Sequence, residues 1–189
     1  MILKKASAVL GLLSILLMLA HIVFGIFMYL TMYYNPVLTK VLSWPFFAAV
    51  CLHAVFGMLS VFLQEDGTRM DLYPKKNLRT ILQRVSAALI FPLLVLHIKN
   101  HELMRECSQQ GQKGLVLLLM LAEILFFAVI ITHVAVSLTK AFITMGWLTR
   151  EQTMKRIDRV VYVIGAVAFC VSVIVIVRGQ ASMFLSGGG

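Results

Sequence analysis

GLVLLLMLAEILFFAVIITHVAVSLT, residues 114–139, decides the fold of this chain. The stretch holds one acid, Glu123, and one histidine, His133, and is otherwise almost entirely apolar. A helix needs about 20 apolar residues to cross the roughly 30 Å of hydrocarbon in a bilayer. The apolar residues surround the whole helix instead of alternating with polar ones, so a strand of a membrane barrel is excluded. The stretch therefore predicts a membrane-spanning helix.

The same pattern occurs in four other parts of the chain. Of the 189 residues, 60% are hydrophobic and 13% are charged. A soluble domain has roughly 45–50% apolar residues and about 25% charged residues. This composition excludes a soluble enzyme and a disordered protein. We expect an all-α integral membrane protein, a single membrane domain over residues 1–189 with a bundle of five transmembrane helices. The predicted spans are 6–33, 44–64, 79–98, 114–139 and 159–177. The short connections leave no room for an extramembrane catalytic domain.

The basic residues predict the orientation of the chain. The net charge is +9, but no basic patch with interleaved aromatics suggests a nucleic-acid partner. Short cytoplasmic loops retain Lys and Arg. One side, with the N-terminus and loops 2–3 and 4–5, holds Lys4, Lys5, Arg69, Lys75, Lys76, Arg79, Arg84, Lys140, Arg150, Lys155, Arg156 and Arg159. The other side holds Lys40, Lys99, Arg105, Lys113 and Arg178. We therefore expect a multi-pass protein of the inner (cytoplasmic) membrane, with the N-terminus in the cytoplasm and the C-terminus outside.

Four predicted spans each contain a histidine: His21, His53, His97 and His133. Ionisable side chains at membrane depth are rare and suggest function, although any one of them alone is often a neutral histidine hydrogen-bonded across helices. Four in four helices, with almost no carboxylates in the spans to pair with, favour a ligand set. Imidazole is the usual axial ligand of haem iron and also binds zinc or copper. A metal cage would require three or four ligands at one depth.

The depths of these histidines separate them into two pairs. At about 1.5 Å per residue, His21 lies roughly 24 Å from the cytoplasmic edge and His97 roughly 27 Å, so both belong to the outer side. His133 lies only about 10 Å before Lys140, in the cytoplasmic half. His53 is near the middle of its span and pairs with His133 by exclusion. Two pairs at two depths predict two bis-histidine b-type haems, which pass electrons across the membrane.

Small residues accompany the histidines. Gly25 follows His21 by four residues and Gly57 follows His53 by four, so each glycine shares a helix face with its histidine and leaves room for a flat macrocycle. Gly11 precedes His21 by ten residues. Ordinary packing of small residues between helices is the alternative explanation.

Polar residues near the span ends supply further candidates. Haem propionates need cationic or hydrogen-bonding partners, and those at suitable depths are Arg84 and Lys140 inside and Lys99 or Arg105 outside. The same residues also fit the role of interface anchors. Glu123 is the acid well inside a span, suited to proton relay, to a quinone site or to a hydrogen bond with a neighbour. His101 lies one turn beyond His97 in a polar stretch; we expect it to be solvated, with replacement of His97 as ligand the alternative.

These residues resemble the five-helix dihaem cytochrome b subunit of succinate:quinone oxidoreductases, particularly fumarate reductase and the related succinate dehydrogenase. The resemblance covers nearly the whole chain and follows the order and spacing of four segments. They are Leu19-Ala20-His21-Ile22-Val23-Phe24; Ala48-Ala49-Val50-Cys51-Leu52-His53-Ala54; Gln83-Arg84-Val85-Ser86-Ala87 with His97; and Thr132-His133-Val134-Ala135-Val136 with Lys140 and Met145-Gly146-Trp147. Two departures are Ala87, where a glycine is common, and Ile131, where some members have a glutamate associated with transmembrane proton transfer.

The resemblance implies a function and partners. It implies His53 and His133 as iron ligands of the cytoplasmic-side haem, and His21 and His97 as those of the outer haem. It also implies a flavoprotein subunit with FAD, an iron–sulfur subunit on the cytoplasmic face, and a membrane quinone of the menaquinone or ubiquinone type. This chain would transfer electrons and bind quinone, while the dicarboxylate reacts in a partner subunit. The alternatives are a cytochrome b subunit of a hydrogenase or formate dehydrogenase, and a small transporter without haem.

Overall fold

A computed structural model describes residues 2–33, 35–64 and 74–185 of the chain. Five helices make up nearly all of these ranges: α1 (Ile2–Thr31), α2 (Pro36–Gln64), α3 (Pro74–Gln109), α4 (Lys113–Thr144) and α5 (Glu151–Phe184). All five are long and apolar enough to cross a membrane, which confirms the predicted all-α fold with five spans. The middle of loop 2–3, with Arg69 of the orientation count, lies outside the described residues.

Several helices extend well beyond the apolar stretches that predicted them. Helix α3 reaches Gln109 instead of residue 98, and α5 ends at Phe184 instead of residue 177. Helix α2 begins at Pro36, where the Oδ1 atom of Asn35 accepts hydrogen bonds from the backbone N–H groups of Val37 (3.1 Å) and Leu38 (3.0 Å). Asparagine at the N-cap followed by proline is a common helix start. Hydropathy thus locates the apolar part of each helix, whereas capping and packing set its ends.

Glycines end α3 and α4 in the same way. Gly111 and Gly146 have positive φ angles of 70° and 79°. At the end of α4, the N–H of Gly146 bonds the carbonyl of Ile143 and the N–H of Trp147 bonds that of Phe142, both at 3.0 Å. This Schellman motif satisfies carbonyls at the helix end and favours glycine, because other residues are strained at positive φ.

The described residues form two compact units. The first, Met1–Ile81 with Val134–Val160, contains α1 and α2 packed as an antiparallel hairpin, with the beginnings of α3 and α5 and the end of α4. The second, Leu82–His133 with Val161–Gly189, contains the remainder of α3, α4 and α5. An apolar cluster of the second unit joins these three helices through Met104, Val116, Met120 and Phe184.

The distribution of apolar surface is that of a membrane protein. Leu16, Val23 and Leu30 of α1 follow one another at intervals of seven residues and are 66%, 67% and 74% exposed. Polar side chains are buried instead, among them Ser86, Asn100, Glu123 and Thr139. A water-soluble protein rarely exposes apolar patches of such extent, whereas lipid tails are a favourable neighbour for them.

An ion-pair network joins three helices of the first unit. Arg79 of α3 donates from both terminal nitrogens to the carboxylate of Asp158 on α5, each at 2.9 Å, and its Nε donates to the carbonyl of Val136 on α4 at 2.9 Å. The hydroxyl of Thr139 donates to the same carboxylate at 2.5 Å. Forked arginine–carboxylate pairs of this kind are strong and fix geometry. The network therefore fixes the positions of these three helix segments relative to one another.

Candidate functional site

In the first unit, both histidines are held by residues of the partner helix in the α1–α2 hairpin. The Nδ1 atom of His53 lies 2.8 Å from the backbone carbonyl oxygen of Ser7 and 3.4 Å from the hydroxyl of the same residue. The Nδ1 atom of His21 lies 3.3 Å from the hydroxyl of Ser43, and its ring stacks on Phe46 with centroids 5.9 Å apart. Both rings are partly buried.

Gly11 provides the space in which the His53 ring lies. A Cβ atom at this position would lie 2.9 Å from Cε1 of His53, closer than real contacts allow, and 3.1 Å from Nδ1, which is a tight contact. Gly25 and Gly57 are different: a Cβ atom at Gly25 would meet nothing within 4 Å, and one at Gly57 would make ordinary contact with Ser7. The small residue at position 11 therefore serves the histidine of the neighbouring helix.

The two histidines of the hairpin occupy different levels. His53 lies beside Ser7 and His21 lies beside Ser43. At about 1.5 Å per residue, the interval between these levels is about 21 Å along α1 and about 15 Å along α2. This is half or more of the roughly 30 Å hydrocarbon thickness. His21 and His53 thus cannot hold one ion together.

In the second unit, His133 of α4 is held by α3. Its Nδ1 atom lies 3.0 Å from the hydroxyl oxygen of Ser86 and 3.2 Å from the carbonyl oxygen of Gln83. The Ser86 hydroxyl itself donates to the carbonyl of Leu82 at 2.7 Å. Because its proton is used there, the serine oxygen accepts from the ring of His133.

His97 of α3 is held by a carboxylate on α4. Its Nδ1 atom lies 2.6 Å from Oε1 of Glu123, and its ring stacks on Phe126 with centroids 4.8 Å apart. The second oxygen of Glu123 accepts from Nδ2 of Asn100 at 2.8 Å. Glu123 is the acid that the sequence places well inside a span, and the structure pairs it with His97. Of the three roles considered for Glu123, the structure shows the hydrogen bond to a neighbour.

The second unit also separates its histidines by level. Ser86 and His97 mark the two levels on α3, and Glu123 and His133 mark them on α4. These intervals correspond to about 16 Å and about 15 Å of helix. Each unit thus contains two histidines that lie at different levels within it. The expected pairs, His21 with His97 and His53 with His133, each take one histidine from each unit and stay a prediction.

The partners at Nδ1 determine which ring nitrogen carries the lone pair. A carbonyl oxygen can only accept, so His53 and His133 carry a proton on Nδ1, and in the neutral imidazole the lone pair is then on Nε2. The carboxylate at His97 favours the same arrangement, and the hydroxyl of Ser43 permits it at His21. Histidines that bind metals through one nitrogen commonly donate the other N–H to a carbonyl or carboxylate. The four rings therefore fit axial ligation of haem iron through Nε2.

Other features of the described residues bear on the type of cofactor. Among them, no three His, Cys, Asp or Glu side chains converge as a metal cage would require. An apolar groove of about 210 Å³ lies between α3 and α4, beside the serine that holds His133. Its lining residues are Leu82, Val85, Ser86, Leu89, Ala128, Val129 and Thr132.

The candidate propionate partners have protein partners of their own. Lys140 donates to the hydroxyl of Thr80 at 2.8 Å and is partly buried. Lys99 is exposed and pairs with Glu102 at 3.2 Å, and Arg84 is partly buried on α3. His101 is exposed, as expected, and its ring packs against that of Phe184 in a T-shaped arrangement with centroids 5.1 Å apart. None of these contacts tests a role toward propionates.

Ile131 occupies the position where some members of the cytochrome b family that the sequence resembles have a glutamate. Its Cγ2 atom would lie 3.1 Å from a Cβ atom at Gly165 of α5, so the side chain fills a close apolar contact between α4 and α5. The structure thus gives this position a packing role.

Sequence reasoning missed the serines that hold the rings. Ser7, Ser43 and Ser86 are polar residues in or near apolar runs, and that was the signal available. Their pairing with particular histidines depends on the register of helices distant in sequence. Asn100 was also missed, because it belongs to a stretch expected to be solvated, yet it is 2% exposed.

Comparison of this chain with models of known protein families, with curated proteins and with solved structures gave no match.

Proposed function

We propose that this chain is a dihaem cytochrome b that anchors a fumarate reductase or succinate dehydrogenase complex in the membrane. It would transfer electrons between the quinone pool and an iron–sulfur subunit, with the FAD of a flavoprotein subunit beyond. The proposal rests on His21, His53, His97 and His133, of which His53 and His133 would hold the cytoplasmic-side haem and His21 and His97 the outer one. The dicarboxylate reaction belongs to the flavoprotein subunit.

The observation that carries the proposal is the shared hydrogen-bonding arrangement of the four rings. At each of them Nδ1 faces a hydroxyl, carbonyl or carboxylate oxygen of a neighbouring helix. This contact fixes the orientation of the ring. It favours the form with the lone pair on Nε2 at His53, His97 and His133, and permits that form at His21. One histidine hydrogen-bonded across helices is common in membrane proteins. The same type of contact at four histidines in four helices favours a set of ligands.

The two levels support a relay across the membrane. Within each unit the histidines lie about 15–21 Å apart along the helices. Bound at these levels, haem iron would supply one-electron redox chemistry at two depths. The protein orients the imidazoles, surrounds the groups with apolar side chains and excludes water, and these factors tune the potentials.

The pairing is tested by replacing each histidine with alanine and measuring haem per chain. We expect His53→Ala and His133→Ala each to lose the same half of the haem, and the double variant to lose no more than that half. His21→Ala and His97→Ala should lose the other half. His101→Ala is the matched control, an exposed histidine of α3 whose loss should leave both haems in place.

The partners are tested by purifying the chain from its own membrane. Copurifying subunits with FAD and iron–sulfur clusters that react with succinate or fumarate would support the proposal. A copurifying hydrogenase or formate dehydrogenase would assign the cytochrome to another respiratory enzyme. A colourless protein would favour the transporter alternative.

A further inference from the structure

The described Nδ1 contacts differ in the charge of the partner. His21, His53 and His133 face hydroxyl or carbonyl oxygens, which are neutral. His97 faces the carboxylate of Glu123 at 2.6 Å, a short hydrogen bond of the charge-assisted kind. The ring of His97 therefore has a carboxylate as its neighbour at Nδ1.

The carboxylate of Glu123 is firmly placed in the second unit. The residue is 6% exposed, and its two oxygens are occupied by different donors, His97 and Asn100. Asn100 is 2% exposed, and its Nδ2 atom also lies 3.3 Å from the carbonyl oxygen of Leu119. A carboxylate bound at both oxygens cannot turn away from the ring. The bond to His97 is thus a fixed part of the structure.

Two phenylalanine rings also pack against the ring of His97. Phe126 stacks on it at an interplanar angle of 28°, and Phe127 meets it edge-on with centroids 6.4 Å apart. Both phenylalanines follow Glu123 on α4, so one helix supplies the hydrogen-bond acceptor and the apolar walls. The orientation of the imidazole and its charge environment are set together.

We infer that Glu123 is a positioning residue that lowers the midpoint potential of the haem held by His97. A carboxylate that accepts the Nδ1–H bond increases electron donation from the ring to the iron. Negative charge at this point also stabilises ferric iron over ferrous iron, since ferric iron has the higher positive charge. The inference rests on the proposed function, namely that His97 is an iron ligand. Glu123 acts through His97 and does not touch the iron.

The test is a spectroelectrochemical titration of the purified full chain and of Glu123→Gln. In this variant Oε1 of the glutamine can still accept from His97. If the Asn100 amide turns over, its Oδ1, which has no hydrogen-bond partner among the described residues, can accept from the glutamine Nε2. Shape and hydrogen bonding are kept while the charge is removed. We expect two haems per chain, with one midpoint potential shifted upward and the other unchanged.

Two control variants distinguish this contact from general effects. Glu106→Gln removes an exposed acid of α3, and it should leave both potentials unchanged. Ser86→Ala removes a neutral partner of His133 and should leave the potential that responds to Glu123 unchanged. An equal upward shift in Glu106→Gln and Glu123→Gln would overturn the inference, because net charge alone would then explain it.

The remaining outcomes also decide the inference. Two haems with unaltered potentials in Glu123→Gln would overturn it and leave the proposed function standing. If Glu123→Gln loses a haem, Glu123→Asp is used because it keeps the charge. Recovery of that haem with a midpoint potential close to the wild-type value supports the inference, and equal loss in both variants contradicts it. A wild-type chain without haem would contradict the proposed function itself.

Discussion

At the scale of single residues, each candidate ligand depends on a particular neighbour. Ser7 and Gly11 illustrate this at His53: the carbonyl of Ser7 accepts the ring N–H, and Gly11 leaves the space in which the ring lies. Such contacts are where small changes in the chain should have the largest effect on cofactor binding.

Gly11→Ala should displace the His53 ring. The added methyl group would lie 2.9 Å from Cε1, and a ring that moves away loses its 2.8 Å contact with Ser7. Overpacking of this kind costs about 1–3 kcal/mol. We expect a lower free energy of unfolding in detergent and loss of the haem held by His53.

Gly114→Ala is the control for this change, because a methyl group there meets nothing within 4 Å. It should leave the haem content unchanged and stabilise the chain by about 0.4–1 kcal/mol, since alanine has less conformational freedom than glycine when unfolded. Unchanged haem binding in Gly11→Ala would contradict the role given to this glycine.

The residue scale also shows what sequence could predict of the site. The four histidines stand out because imidazoles are rare inside apolar spans. Their partners do not, since Ser86 and His133 are 47 residues apart and His97 and Glu123 are 26 residues apart. Only the register between packed helices decides which serine or acid meets which ring.

At the scale of helices, apolar runs predicted all five elements but not their ends. The polar segment after residue 98 continues as helix because Asn100 and Met104 are buried within the second unit. The Arg79–Asp158 pair was also beyond sequence reasoning, because its members are 79 residues apart. Both features depend on which helices pack together.

Asp158→Asn should destabilise the first unit. The substitution leaves Arg79, whose side chain is 25% exposed, without its carboxylate partner. Because the pair is partly exposed, we expect a loss of about 1–3 kcal/mol, less than the 3–5 kcal/mol typical of fully buried pairs. Denaturant titration of the purified chain in detergent measures it.

Glu151→Gln is the matched control on the same helix. It breaks the ion pair between Glu151 and Lys155, whose side chains are 79% and 74% exposed respectively. Exposed ion pairs contribute little to the free energy of unfolding. The expected change is within about 0.5 kcal/mol. Equal losses in the two variants would contradict a specific role for the Arg79–Asp158 pair.

At the scale of the whole molecule, the basic residues predict the orientation in the membrane. In a variant without native cysteines, Lys155→Cys should react with a membrane-impermeant maleimide from the cytoplasmic side. Lys99→Cys should react from the outside. Both lysine side chains are well exposed, at 74% and 66%. The reverse pattern in vesicles of known sidedness would show that the charge distribution does not set the orientation.

The central claim concerns the whole molecule as well: the apolar helices position four imidazoles for two haems. The most direct test is the reduced-minus-oxidised visible spectrum of the purified chain, with haem quantified per chain. The account predicts a b-type spectrum at two haems per chain. One haem would mean that a histidine pair is misassigned, and a colourless protein would contradict the claim.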